Sequence, residues 1–440
     1  MSFKARWAFM LALLGGLLLG SSPAQAQHMQ HSQSATKPPS GDAVQASTPV
    51  LGASKQPESK PAAMRKPRPQ LGSAVAFDPQ GRLWLVGLNL HGRLFFQHTL
   101  DKDLQQWSEP RLLDVGTDAI SADGENRPKL AWGALGQVVI TYTQPLSKPF
   151  TGMIRMLRST DAGQSFSKPY TVHQDRQIIT HRFESVAFDA RGDLYTVWID
   201  KRDLELAPKV DNKSTYSGAA IYANVSKDGG LTFGADTKVA DHTCECCRIA
   251  LAAGDDGYLR AMWRHVFDGN IRDHAFAKLG ADGSGSIARA SNDGWHLTGC
   301  PHHGPGLAPA SGQAKGQGFH AVWFGSRKVQ GKDKLAVRYG RLAESGVPDE
   351  ATVRELPDPQ AEHADVAAQG ERVVVAWRSF NGEQWLLRAW VSNDGGRQFV
   401  LRDLAQTHAE NDHPRLVHNN GRVVVVWRDA NKVNVYEVDN

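Results

Sequence analysis

The sequence predicts an all-β chain built by repeating one unit, a four-stranded antiparallel sheet. Three observations carry this. A short apolar strand, a Gly-containing turn and a second strand, often ending in Trp, recur seven times from residue 70 onward. Successive copies start roughly 50 to 65 residues apart, which leaves room for two further strands in each unit. A second pattern, S-x-D-x-G-x-x-F, returns within those units as a turn between strands.

The chain opens as an exported protein. Lys4 and Arg6 form a basic start, Trp7 to Gly20 is apolar, and Ala24-Gln25-Ala26 is an A-x-A cleavage signal. Residues 1–26 therefore read as a signal peptide and the mature chain as starting at Gln27. The apolar run is too short to span a bilayer comfortably, and no cysteine lies near the cleavage point, so no membrane anchor is expected. The expected compartment is a bacterial periplasm. The formal net charge is +4, and two of those charges belong to the signal peptide. The nearly balanced remainder has no basic tract, which argues against a nucleic-acid partner.

Residues 27–69 are rich in Gln, Ser, Pro, Ala and Lys and lack a hydrophobic period, so they read as a disordered tail. Its opening, His28-Met29-Gln30-His31, offers loose copper ligands, but a solvated tail is the plainer reading.

Residues 70–440 carry the repeats. In order they are SAVAFDPQGRLWLVG (from Ser73), RPKLAWGALGQVVITY (Arg127), FESVAFDARGDLYTVW (Phe183), CRIALAAGDDGYLRAMW (Cys247), GPGLAPASGQAKGQGFHAVW (Gly304), ADVAAQGERVVVAW (Ala364) and HPRLVHNNGRVVVVW (His413). The last copy has one clear strand after its Trp, Val433 to Val438, and a strand near Thr48–Leu51 is a candidate to complete it. The turn pattern is clear in Ser159–Phe166, Ser226–Phe233 and Ser392–Phe399, degenerate in Thr99–Trp107 and truncated in Ser291–Trp295. Its Asp can bond nearby N–H groups, its Gly supplies unusual dihedrals and its aromatic packs between strands.

These turns resemble the Asp-box, or BNR, repeats of the sialidase-like β-propeller superfamily. The resemblance covers residues 70–440 and implies a radial propeller of four-stranded blades. Seven inner-hairpin copies favour seven blades, with six, as in many sialidases, as the alternative. In such a fold the loops entering the innermost strands gather at one mouth of the central channel. Cys244-Glu245-Cys246-Cys247 precedes one inner strand, and Cys300-Pro301-His302-His303 precedes the next. These two segments hold all four cysteines of the chain. The same register gives Arg127, His181, Arg182, His363 and His413. The loops after the second strands add Asp200, Arg202, Arg264, His265, Arg378 and Arg428 on the same rim. Trp198, Trp263, Trp323, Trp377 and Trp427 read as packing residues, and the Asp-box turns as structural features of the opposite face.

Thiols in an oxidising compartment end as disulfides or are held by a metal. Two disulfides remain a possible reading, although adjacent Cys246 and Cys247 do not pair easily. Soft sulfur with imidazole suits a thiophilic metal, copper first and zinc as the alternative. Candidate ligands are Cys244, Cys246, Cys247, Cys300, His302 and His303. His181, Arg182, Arg264, His265, His363, Arg378, His413 and Arg428 are further rim or supporting residues. Adjacent thiols beside a metal also allow redox work, so an oxidoreductase activity stays open. The chain further resembles exported sialidase-like proteins of proteobacteria with CxCC and CPHH motifs, which implies copper handling.

Two other functions are weighed beside copper binding or detoxification. A sialidase needs an arginine cluster, a Tyr–Glu nucleophile pair and an F/Y-R-I-P motif. The corresponding stretch reads Arg65-Lys66-Pro67-Arg68-Pro69, and no Tyr–Glu pair is placed by the repeat. A glycan-processing or glycan-binding propeller with structural cysteines is therefore the alternative, and a protein-interaction scaffold with an unknown partner is the third.

Overall fold

The second strand of a repeat has an unbroken apolar centre, as in Val373–Trp377 of Arg372–Phe380 (RVVVAWRSF) and Val423–Trp427 of Arg422–Arg428 (RVVVVWR). Strands with one solvated face alternate; these do not, because neighbouring sheets cover both of their faces. Seven sheets stacked around an axis meet that demand. The structure, a computed structural model, describes residues 69–438 other than 123, 212 and 311–317. Within them the chain is a seven-bladed β-propeller, six sheets having four strands and the seventh three. The signal peptide, the His28–His31 stretch, the tail up to residue 68 and the Thr48–Leu51 strand lie outside the described residues.

Each blade is consecutive in the chain and antiparallel throughout. The innermost strands are Ala74–Phe77, Lys129–Trp132, His181–Phe188, Ala250–Ala253, Gly306–Pro309, Glu362–Gln369 and Arg415–Asn419, in blades 1 to 7. The seven sequence repeats thus correspond one to one with blades. Blade 3 carries an insertion with a five-residue helix, Arg202–Leu206, and a small hairpin, Lys209–Val210 with Lys213–Ser214. No helix among the described residues is long and apolar enough to cross a membrane.

The Trp residues that recur in the repeats lie between blades. Trp84, Trp198, Trp263, Trp323, Trp377 and Trp427 are all buried. A buried indole needs an acceptor, and most find a carboxylate. Trp84 donates to Asp78 (2.9 Å), Trp198 to Asp200 (2.8 Å), Trp323 to Asp293 (2.9 Å) and Trp377 to Asp358 (2.9 Å). The ring closes through polar groups: Ser73 N and Oγ bond Asp412 (3.0 and 2.9 Å), while Arg428 donates to Leu88 O (2.6 Å).

The three S-x-D-x-G-x-x-F turns join third to fourth strands. Ser226 Oγ donates to Asp228 (2.7 Å) and accepts from Gly230 N (2.7 Å), and Thr232 N donates to Asp228 (2.9 Å). Ser159 with Gly163 and Ser392 with Gly396 repeat the arrangement. Gly230 has φ +93°, a conformation that would strain any side chain. Strand alternation puts these turns at the end of the propeller opposite the inner-strand entries.

Candidate metal centre

The crossovers from one blade's outer strand to the next blade's inner strand form the rim. Cys244–Cys247 fills the crossover between Thr237–Thr243 and Ala250–Ala253. Cys300–His303 fills the next one, between Ile287–Arg289 and Gly306–Pro309. The first crossover is pinned at its start: Cys244 N and Thr243 Oγ1 both donate to Arg264 O (3.0 Å each). Lys201 pairs with Glu245, whose side chain is part-exposed. The sulfurs of Cys244, Cys246 and Cys247 are then left in the interior, their residues 1%, 6% and 2% exposed.

All four cysteines are free thiols, and Cys300 alone is exposed. Cys244 Sγ lies 3.8 Å from Cys246, 3.9 Å from Cys247 and 3.9 Å from Cys300. Cys246 and Cys247 are 4.0 Å apart. A disulfide requires an S–S distance of about 2.05 Å, so none of these pairs is bonded. A tetrahedral ion with metal–sulfur bonds of about 2.3 Å spaces its sulfurs by about 3.8 Å. The triangle of Cys244, Cys246 and Cys247 likewise has its centre about 2.3 Å from each sulfur. The donor set therefore fits a metal ion of the thiophilic class.

Charge at the cluster is uneven. Cys244 is the hub: hydrogen bonds from Cys246, Cys247 and Cys300, helped by the Arg264 guanidinium, hold its thiol well below the usual range. The same sharing, with burial, pushes Cys246 and Cys247 up, and Cys300 up to about 12. Arg264 also fastens the second crossover, donating to His303 O (3.1 Å) and Phe324 O (2.6 Å).

The six ligands expected from sequence do not form one set. His303 lies away from the sulfurs, stacked on Phe324 (4.3 Å) and on His363 (4.2 Å). His363 in turn stacks on His413 at 3.4 Å and 9°. The stack offers donor groups of its own, apart from the sulfurs: ligand atoms of Glu125, His363 and His413, and of His303, Glu362 and His363, lie within 4.8 Å of one another. His302 is exposed, has φ +55°, and joins no group of converging donors among the described residues. The left-handed turn at His302, directly after Pro301, separates the cysteine from the histidine that follows.

The imidazole stack is tied into a buried charge network. Glu125 accepts from His363 Nδ1 (2.9 Å) and from Arg248 Nη1 (3.1 and 3.3 Å). Arg127 bonds Asp412 (2.9 Å) and His413 Nδ1 (2.9 Å). Burial works to raise the Glu125 pKa, but Arg248 and His363 outweigh it and hold the carboxyl well below its ordinary range. Burial keeps His303, His363 and His413 neutral at ordinary pH. Beneath this layer the inner strands enclose a cavity of about 250 Å³, lined by Arg127, Lys129, Arg248, Asp365 and Arg415 among others.

The other rim residues are structural in their contacts. His181 bonds Gly152 O (3.2 Å) and faces Asp175 (3.2 Å) and Asp200 (3.7 Å). Arg182 lies over the Phe183 ring. His265 packs on Phe267 (4.5 Å), and burial lowers its pKa to about 4. Arg378 pairs with Glu362 (2.8 Å), and Arg428 joins blade 7 to blade 1. Sequence reasoning missed Glu125 and Arg248. Arg248 directly follows Cys247, and Glu125 stands two residues before Arg127, so the repeat register itself held the signal.

No family model matches the chain, and no curated protein matches it. Solved structures do. An ulvan lyase of polysaccharide lyase family PL25, bound to -[GlcA(1-4)Rha3S]-, is 13% identical with TM-score 0.50, covering 82% of this chain and 90% of that one. A second structure of a PL25 ulvan lyase gives 13% identity and TM-score 0.51 over the same shares. An α-L-arabinanase from Penicillium chrysogenum, complexed with arabinobiose, is 12% identical with TM-score 0.45, covering 70% and 88%. At such identities the likeness to the lyases is one of fold, the β-propeller.

Proposed function

We propose that this protein binds a thiophilic metal ion, copper(I) before zinc, at the channel mouth, and serves in copper binding or detoxification. One observation carries the reading: four unbonded thiols from two neighbouring crossovers each stand 3.8 to 4.0 Å from another sulfur of the cluster. A lone buried thiol packs as a small apolar group, but four that converge beside an arginine form a soft donor set whose thiolate charge an ion can draw on. Three sulfurs in a near-equilateral triangle favour copper(I), since soft thiolates select it. Cys244, Cys246, Cys247 and Cys300 would hold the ion, and Arg264 would balance thiolate charge. His303, His363 and His413 line the neighbouring rim without sharing the ion. Metal analysis of protein purified after copper supplementation tests this. The expectation is one ion per chain, lost in Cys246→Ser and in Cys247→Ser; equal metal content in all three proteins would refute it.

A second reading draws on the fold. The lyases named above act on or bind glycans, which favours a glycan-active or glycan-binding propeller. Two carboxylates, Glu125 and Glu362, do stand on the rim. Each is already engaged, Glu125 by Arg248 and His363, Glu362 by Arg378. Cleavage of ulvan, arabinan or a fluorogenic sialoside, unaffected by cysteine substitution, would move the function to this reading.

A further inference from the structure

We infer that Cys300 is the exchangeable ligand of the sulfur cluster, the position at which the thiolate of an incoming acceptor enters. This rests on the metal-binding reading and assigns the partner's chemistry: a soft thiol donor. Cys244, Cys246 and Cys247 belong to one four-residue segment, are buried, and are braced by Arg264 and by the Lys201–Glu245 pair. They act as one chelating unit, since a momentary release of any one leaves the ion close enough for that sulfur to rebind, an advantage a permanent substitution removes. Cys300 comes from a different crossover, is exposed, and sits in a stretch, 297–305, with no helix or strand. Its sulfur lies 3.9 Å from Cys244 and converges with those of Cys244 and Cys246, all within 4.8 Å of one another, and it belongs to the exposed residue of that group. With Cys244, Cys246 and Cys247 buried and Cys300 exposed, an outside sulfur meets the cluster first at Cys300. The exchange breaks the bond from the ion to Cys300 Sγ as a bond to the incoming sulfur forms. The incoming thiol's proton passes to the departing Cys300 thiolate, and no oxidation state changes.

Two measurements test this. In the metal-free protein, iodoacetamide should label Cys300 about ten-fold or more faster than the other three thiols, because they are buried and it is open to the reagent, read by peptide mass spectrometry. Equal labelling, or another cysteine first, overturns the inference. In the copper(I)-loaded protein, Cys300→Ser should keep one ion per chain yet lose it to dithiothreitol about ten-fold or more faster than wild type. Cys246→Ser should keep none. A Cys300→Ser protein as empty as Cys246→Ser, or one releasing copper at the wild-type rate, overturns the inference. A wild-type chain that takes up neither copper(I) nor zinc overturns the metal reading itself and this inference with it.

Discussion

Glu125→Gln is the perturbation that most directly loads the rim. The carboxylate accepts two contacts from Arg248 Nη1 and one from His363, with its side chain 3% exposed. Removing one partner of a buried ion pair costs about 3–5 kcal/mol, because the other charge stays behind unpaired. Arg248 has little escape: its remaining donors are held by Pro305 O (2.9 Å) and Ala364 O (2.5 Å). The amide oxygen of Gln retains one acceptor, returning about 1 kcal/mol. The expected loss is therefore about 2–4 kcal/mol. Urea unfolding followed by Trp fluorescence measures it. Glu125→Gln with Arg248→Met should lose less than the sum of the single variants, since the stranded charge is gone. The sign with pH follows from the depressed Glu125 pKa. Its stabilisation is present above the ordinary carboxylate pKa of about 4.3 and is lost as pH falls through the lower folded value. The gap between wild type and variant should close in acid. A loss under about 1 kcal/mol at neutral pH, or strict additivity, would refute the reasoning.

Two further predictions concern charge elsewhere in the propeller. Lys129, in the central cavity, has its pKa lowered to about 7, chiefly by burial. Between about pH 7 and 10.4 the unfolded chain then binds the extra proton, so this lysine makes stability rise with pH. Lys129→Met should raise the thermal midpoint at pH 7 and flatten that rise; identical pH profiles would count against it. In the Asp-box turn, hydrogen bonds from Thr232 and Ser226 outweigh partial burial and lower Asp228 to about 2. Its contribution should be present above about pH 4 and fade as pH falls towards 2. Asp228→Asn should lose stability at pH 7 by about 1 kcal/mol and converge with wild type near pH 2; a constant difference across that range would contradict the turn's role.

The linear sequence carried the propeller architecture and the rim register, and it favoured seven blades over six. Apolar second strands such as Val373–Ala376 can be buried on both faces only between stacked sheets, so their recurrence reads directly as a propeller. The cysteines likewise fall in consecutive crossovers, and a closed ring leaves consecutive crossovers adjacent. The tertiary structure alone decided which neighbours share a site. His303 follows Cys300 by three residues, yet it stacks on Phe324 and His363 while the sulfur turns to Cys244. The direction of a side chain on an irregular crossover depends on local dihedrals, here the left-handed turn at His302, and on packing partners from blades far along the chain. Glu125 shows the same dependence: it meets Arg248 and His363 across 123 and 238 residues of sequence. Periodicity encodes which strands pair because that rule is local and repeated. Donor convergence at the mouth is set once, by all seven blades together.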